Sequence, residues 1–268
     1  MIRISKILSL LLITAMMLTI TQRAFAWGMT GHRVVAEIAQ RHLSKKATRN
    51  LQKLIGTAPL AFWANWPDFI KSDTTDKWKQ TGPWHYVDLA GHLDKPDFVD
   101  GLGALKGKSL YTQIPEMEAL LKNRDLPLEQ RQIALRFLIH FVGDLHQPLH
   151  VGRDEDQGGN KIKVTWFGKS SNLHTLWDSQ LIDYQQWSYT EYATNIDTVD
   201  ANEIAQIQSG SLEDWFYQSH VLSDLIYDKT PDGSRLSYGY NYLFFDQLNK
   251  QLLDGGLRLA KILNEILG

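Results

Sequence analysis

The chain has 268 residues, with 28 Lys and Arg against 30 Asp and Glu, nine histidines and no cysteine. A net charge of −2 excludes a broad basic surface for holding polyanions. The missing cysteines exclude disulfides and thiolate metal sites, so a large core or bound metal must hold the fold together.

Met1 to Ala26 carry the three parts of a secretory signal peptide: Arg3 and Lys6, an apolar run from Ile7 to Ile20, and Ala24-Phe25-Ala26 as an A-x-A cleavage site. The mature protein is therefore expected to begin at Trp27, to lie in the periplasm or outside the cell, and to form no stable association with a membrane. Losing Arg3, Lys6 and Arg23 with no acid takes the net charge from −2 to −5. No Pro/Gly/Ser-rich linker interrupts residues 27–268, which reads as one domain.

In chain order, Val34, Val35, Ile38, Ala39 and Leu43 give an apolar stripe for a first helix. Ser44 caps a second helix that Gly56 stops near Ile55. The stretch Ala61 to Asp68 ends its pattern at Pro67, and a Lys/Asp/Thr-rich loop follows. Trp84 to Asp88 alternates and reads as extended, with His85 on one face. Three glycines make Asp94 to Leu110 a loop. Ile114–Leu121 and Leu128–Gln147 predict a short and a long helix, the latter ended by Pro148. Gly158-Gly159-Asn160 marks a turn before an alternating strand or hairpin at Lys161–Trp166. Asn172 caps a helix bearing His174 and Asp178, and helices over Glu203–Gln208, Leu212–Tyr227 and Tyr240–Leu267 complete an all-α fold with at most a small β-hairpin.

The chemistry concentrates in His140-Phe-Val-Gly-Asp144-Leu-His-Gln-Pro-Leu-His150. His140 and Asp144 project from one helix face four residues apart, and His174/Asp178 repeat that spacing. With His32, Asp68, His85 and His150 they make eight imidazole and carboxylate donors, a set suited to zinc, with manganese or iron open by donor type. A free amino group on Trp27, with its own carbonyl oxygen, could chelate an ion that His32 shares. His42, His92, His146 and His220 are left as ordinary surface, core or supporting residues.

Taken together, Trp27-Gly-x-x-Gly-His32, Trp66-Pro-Asp68, Trp84-His85-Tyr86-x-Asp88, the His140–His150 run, Gly158-Gly159-Asn160 and Asn172-Leu-His174-x-x-Trp177-Asp178 resemble the secreted zinc-dependent single-strand-specific nucleases of the S-one/P-one type. The bacterial zinc phospholipases C are similar in fold. The resemblance implies a mainly helical domain with three Zn2+ ions: Asp68, His85, His140 and Asp144 on one; His150, His174 and Asp178 on a second; Trp27, His32 and a shared Asp144 on the third. It implies hydrolysis of single-stranded DNA and RNA, and of 3′-nucleotides, to 5′-phosphate products, with Asp68 and Lys71 at the reacting phosphate. Tyr86 would stack on a base, Asp88 would bond its edge, and Asn160 would donate to a phosphate. Three divalent ions against Asp68, Asp144 and Asp178 would make the site cationic within an acidic protein.

The chain departs from the family in lacking disulfides and in the charged run Arg153-Asp-Glu-Asp156, where an apolar wall would clamp a base. A phospholipase C shares the donors but wants a more apolar cleft and typically ends its ligand set in glutamate rather than Asp178. A non-catalytic zinc-binding exported protein would fill every coordination position itself.

Overall fold

The computed structural model describes residues 27–268, so the signal-peptide reading of residues 1–26 lies outside the described residues. The architecture is mainly α-helical with one small sheet. In chain order the helices are α1 (Met29–Arg41), α2 (Lys45–Ile55), α3 (Leu60–Trp63), α4 (Trp66–Phe69), α5 (Lys95–Ala104), α6 (Leu110–Lys122) and α7 (Leu128–Leu145). Strands β1 (Lys163–Trp166) and β2 (Lys169–Asn172) precede α8 (Leu173–Thr175), a π-helical turn at Leu176–Gln180 and α9 (Leu181–Tyr184). There follow α10 (Tyr189–Ile196), α11 (Ala201–Ile207), α12 (Leu212–Lys229), β3 (Ser234–Leu236) and α13 (Tyr238–Leu267).

Helix α7 is the axis of the fold. From Ala134 to Leu145 every residue but Arg136 is buried, which a helix apolar all round requires. It packs against α1, α6 and α13. Gln147, just before Pro148, is forced into an extended conformation (φ −87°, ψ 109°), so α7 stops at Leu145, two residues short of the expected end. His150 then leaves on a separate turn at Pro148–Val151.

Local signals account for several boundaries. Ser44 accepts from the Ala47 N–H, and α2 closes on Gly56 at φ +69°, a left-handed position that favours glycine. The Phe167-Gly168 turn has positive φ at both residues (49° and 77°), the two-residue hairpin geometry that matches strand twist. It pairs Lys163 with Asn172 and Trp166 with Lys169.

Several expectations need correction. Lys95–Ala104 is a helix rather than a loop: Asp94 caps the Asp97 N–H, Pro96 stands in the first turn where no N–H is needed, and Phe98 and Leu102 bury one face. Phe98 stacks on His220 of α12 at 4.6 Å, so tertiary burial outweighs the cost of Gly101 and Gly103. The sheet has a third strand, β3, parallel to β1. Its three residues are too few to leave a periodic trace. Pro67 opens α4 rather than ending a pattern, and α10 forms behind a Ser188/Glu191 capping box that its weak stripe hides. Asp76–His85 is a series of 3-10 turns, so the extended stretch starts only at Tyr86.

Helices α1 and α13 meet at Gly256, where an added Cβ would lie 2.5 Å from the Ile38 Cβ. Gly256→Ala is expected to force these helices apart and to cost about 1–3 kcal/mol, read as a lower urea midpoint. An unchanged midpoint would mean that the contact yields freely.

Candidate metal centre

Helix α7 delivers two donors, His140 and Asp144, to the buried heart of the domain. Asp144 has no solvent exposure, yet His85 Nδ1 lies 2.9 Å from its Oδ2 and His140 Nε2 3.3 Å from that same oxygen. Its Oδ1 faces His32 Nε2 and His150 Nδ1, each at 3.4 Å. One carboxylate therefore stands among four imidazoles. Three clusters surround it, each with its donor atoms within 4.8 Å of one another: His32/His140/Asp144, Asp68/His85/His140 and His150/His174/Asp178.

Main-chain carbonyls aim the rings. The Nδ1–H of His140 donates to the Ala64 carbonyl (2.7 Å), that of His150 to the His85 carbonyl (2.8 Å), and that of His174 to the Gly158 carbonyl (2.5 Å). Each bond leaves Nε2 as the lone-pair nitrogen turned to the cluster, the arrangement that presents neutral imidazole to an ion. Gln147 donates to Asp178 Oδ1. These orienting groups carry no sequence signal of their own except Gln147, which sits inside the His140–His150 run.

Close approach needs glycine at two places. A Cβ on Gly143 would come within 2.6 Å of His32 Nδ1, so the His32 ring can stack on His140 (3.8 Å between centroids) only because position 143 has no side chain. Gly158, at φ +62°, lets its carbonyl reach His174 where a side chain would collide with the Leu149 carbonyl. The Asn172 side chain caps the Thr175 N–H at 2.7 Å and starts the turn that bears His174. The π-helical turn behind it carries Asp178, whose Oδ2 lies 3.3 Å from His174 Nε2.

Electrostatics agree with a cation site. Burial lowers the pKa of His32, His85, His140 and His174, and brings His150 down to about 4, so all five imidazoles are neutral at neutral pH. Burial also raises Asp144 well above the carboxylate range, helped by the charge of Asp68, and pushes Asp178 up to about 7. Both nitrogens of His32, His85 Nε2 and Asp144 Oδ1 have no hydrogen-bond partner. Buried donors of this kind, nitrogen and oxygen with no sulfur, fit borderline-to-hard divalent ions such as zinc.

Trp27 is fully buried, and the Gly28 N–H donates to the Asp178 carbonyl at 2.5 Å, which ties the start of the described chain to the His150/His174/Asp178 cluster. Lys71, Tyr86, Asp88 and Asn160 share with His85, His150 and His174 a cleft of about 580 Å³. Lys71 Nζ contacts Asp68 Oδ1 at 2.6 Å. Tyr86 is exposed, held by the run that pairs the Val87 N–H with the His150 carbonyl. Burial, with Asp154 and Asp156 nearby, pushes Asp88 up to about 7. The Asn160 side chain donates to the Gln157 carbonyl at 2.8 Å. Asp156, taken only as part of a charged run, is a buried support: it accepts from the Gly159 N–H (2.6 Å) and the Tyr227 hydroxyl (2.7 Å). His146 donates to the Val142 carbonyl and receives Arg258, away from the clusters.

The family model for S1/P1 nuclease matches residues 27–268. Nuclease P1 of Penicillium citrinum is 31% identical over 90% of this chain and 98% of its own length. Endonuclease 4 of Arabidopsis thaliana is 29% identical over 91% of this chain and 90% of its own, and endonuclease 2 of the same plant 28% over 97% of each.

Because Asp144 faces all three clusters, Asp144→Asn is expected to lower metal content by more than His32→Ala or His174→Ala does; equal losses in elemental analysis would contradict its central place. Ion entry is also expected to expel protons from the carboxyls. Asp178, raised to about 7, is largely protonated at pH 6 and ionised at pH 8, whereas His150, brought down to about 4, is neutral at both. Zinc loading should therefore release about one proton more per chain at pH 6 than at pH 8, measured by calorimetry in buffers of different ionisation heat. Equal release at the two pH values would refute this assignment.

Proposed function

The chain belongs to the S1/P1 nuclease family and is a nuclease, and from that premise we propose that it is an exported, zinc-dependent enzyme cutting single-stranded DNA and RNA. The products would carry 5′-phosphates, and 3′-nucleotides would also be substrates. The observation that carries the reading is the convergence of three donor clusters on Asp144, with His85, His150 and His174 of those clusters lining a cleft that also holds Lys71 and Tyr86.

The proposed ligands are Asp68, His85, His140 and Asp144 for one zinc, His150, His174 and Asp178 for a second, and the Trp27 amino nitrogen and carbonyl oxygen with His32 and Asp144 for the third. Zinc in such a site is a Lewis acid toward phosphoryl oxygen and brings the pKa of water toward neutrality. The chain's own groups do the rest. Asp68 holds Lys71 at 2.6 Å, with the ammonium at the cleft where it can offset negative charge growing on the phosphate. Tyr86 offers a base a π-face without regard to sequence. Asp88, near its pKa at neutrality, can donate to or accept from a base edge. Asn160, although its amide already donates to Gln157, retains a second N–H for a phosphate oxygen.

Single-strand preference follows from depth. A phosphate must reach buried His150 and His174 while its base lies against Tyr86, and a base held in a duplex stack cannot turn that way. Export rests on the signal-peptide pattern of residues 1–26. Among the described residues no helix is long and apolar enough to cross a membrane. The charged Arg153–Asp156 run beside the cleft argues against a lipid substrate.

The purified protein should degrade denatured DNA and RNA much faster than duplex, stop with a chelator and recover with zinc. Equal rates on duplex, or phosphatidylcholine hydrolysis without nucleolysis, would overturn the reading. A chain with one residue added before Trp27 is expected to lose zinc from the His32 site, and full zinc content with full activity would rule out chelation by the terminus.

A further inference from the structure

A second pocket, of about 650 Å³, opens on the other flank of Asp68. Ser72 lines both it and the Tyr86 cleft, and Asp68, which lines the new pocket, contacts Lys71 of the Tyr86 cleft at 2.6 Å, so the two hollows adjoin beside a carboxylate of the donor cluster. The walls of the new pocket are aromatic. Phe62 is 67% exposed and Phe69 75% exposed, and both stand with Trp63 along one side. Large rings left this open around a concave site mark a surface that binds something. Trp63 is fixed in place: the Arg136 guanidinium lies 3.9 Å from its ring centroid, and the Phe62 ring meets it edge-on at 4.8 Å. Asn65 ties this wall to the start of α1 by donating to the Met29 carbonyl at 3.2 Å, and Thr30 donates to Asp183 at 3.1 Å, so the pocket is braced on both sides. Arg33, on the next turn of α1, adds a cation to the same lining.

We propose that this pocket binds the nucleotide that keeps the 5′-phosphate, its base stacked on Phe62 and Phe69 and its next phosphate near Arg33. The proposal rests on the nuclease reading above, in which the Tyr86 cleft takes the nucleoside whose 3′-oxygen departs. A phosphodiester joins two nucleosides, and they must leave the donor cluster in different directions. In the hydrolysis, water oxygen bonds to phosphorus, the bond to the 3′-oxygen breaks, and that oxygen takes a proton. The nucleoside still bonded to the phosphate through its 5′-oxygen then needs a place of its own. This hollow takes Asp68 into its lining and adjoins the Tyr86 cleft at Ser72, and its combination of π-faces with a cation suits a base and its phosphate. An acyl chain would use the rings but not Arg33.

The test compares a dinucleoside monophosphate and a single-stranded tetranucleotide with a 3′-mononucleotide, which has no nucleoside on the 5′-oxygen side. With zinc-loaded protein, Phe62→Ala should lower kcat/KM for the dinucleotide, relative to that for the 3′-nucleotide, by about tenfold through KM. Phe62→Trp should restore the ratio. Arg33→Ala should penalise the tetranucleotide more than the dinucleotide, which lacks the further phosphate. Phe62 is exposed, so its loss does not threaten folding. If wild-type protein cleaves all three substrates and Phe62→Ala leaves the ratio unchanged, the subsite is refuted while the nuclease reading stands. Loss of phosphatidylcholine turnover in Phe62→Ala with the dinucleotide unaffected would assign the pocket to an acyl chain and also refute it. Wild-type protein that cleaves none of the nucleotides would overturn the underlying reading instead.

Discussion

The Asp144 carboxylate, removed from water and ringed by His32, His85, His140 and His150 at 2.9 to 3.4 Å, is the constraint around which the molecule is built. An ionised carboxylate in such a place is costly unless a cation neutralises it. The surrounding rings cannot do so as imidazolium ions, because the same burial that strips Asp144 of water drives their protons off. Neutral nitrogens and a buried carboxylate together form a set whose charge a bound cation would complete, and such a cation would give an acidic chain a local site for anions.

Holding these groups together takes most of the fold. Helix α7 is buried over its whole second half so that His140 and Asp144 can face inward from rigid backbone. His32 comes from α1 and Asp68 from the short α4, while the remaining donors arrive on irregular segments, the turn after Pro148, the end of the 3-10 run at His85 and the turn capped by Asn172. There the main-chain carbonyls left free by irregular backbone become the acceptors that orient His140, His150 and His174. Irregularity and aim are thus linked: a carbonyl committed to a regular helix could not serve a ring. The small sheet contributes indirectly, since β2 ends at the Asn172 cap that launches His174.

Around this core the surface opens in two hollows that share Ser72, one lined by His85, His150 and His174 and the other by Asp68. One is polar, with Lys71, Asp88 and Asn160, and the other is walled by Phe62, Trp63 and Phe69. Under the proposed function, the difference in lining would give the two sides of a reacting phosphate distinct chemistry, with the donor cluster between them.

Much of this was legible in the residues alone. The i,i+4 pairs His140/Asp144 and His174/Asp178, the stop at Pro148 and the caps at Ser44 and Asn172 are local features, and helical geometry turns such spacing directly into direction. The helical class and the list of donors followed from them. What the sequence could not supply was decided by contacts between distant segments. Lys95–Ala104 becomes a helix because Phe98 finds His220, over 100 residues away, and β3 exists only because Ser234–Leu236 is carried alongside β1. Asp144 gained its central place, and Phe62 and Phe69 their shared pocket with Arg33, in the same way. Periodicity records which face of an element is apolar; which elements then meet, and which carbonyl or ring a side chain finds there, is fixed only when the chain closes on itself.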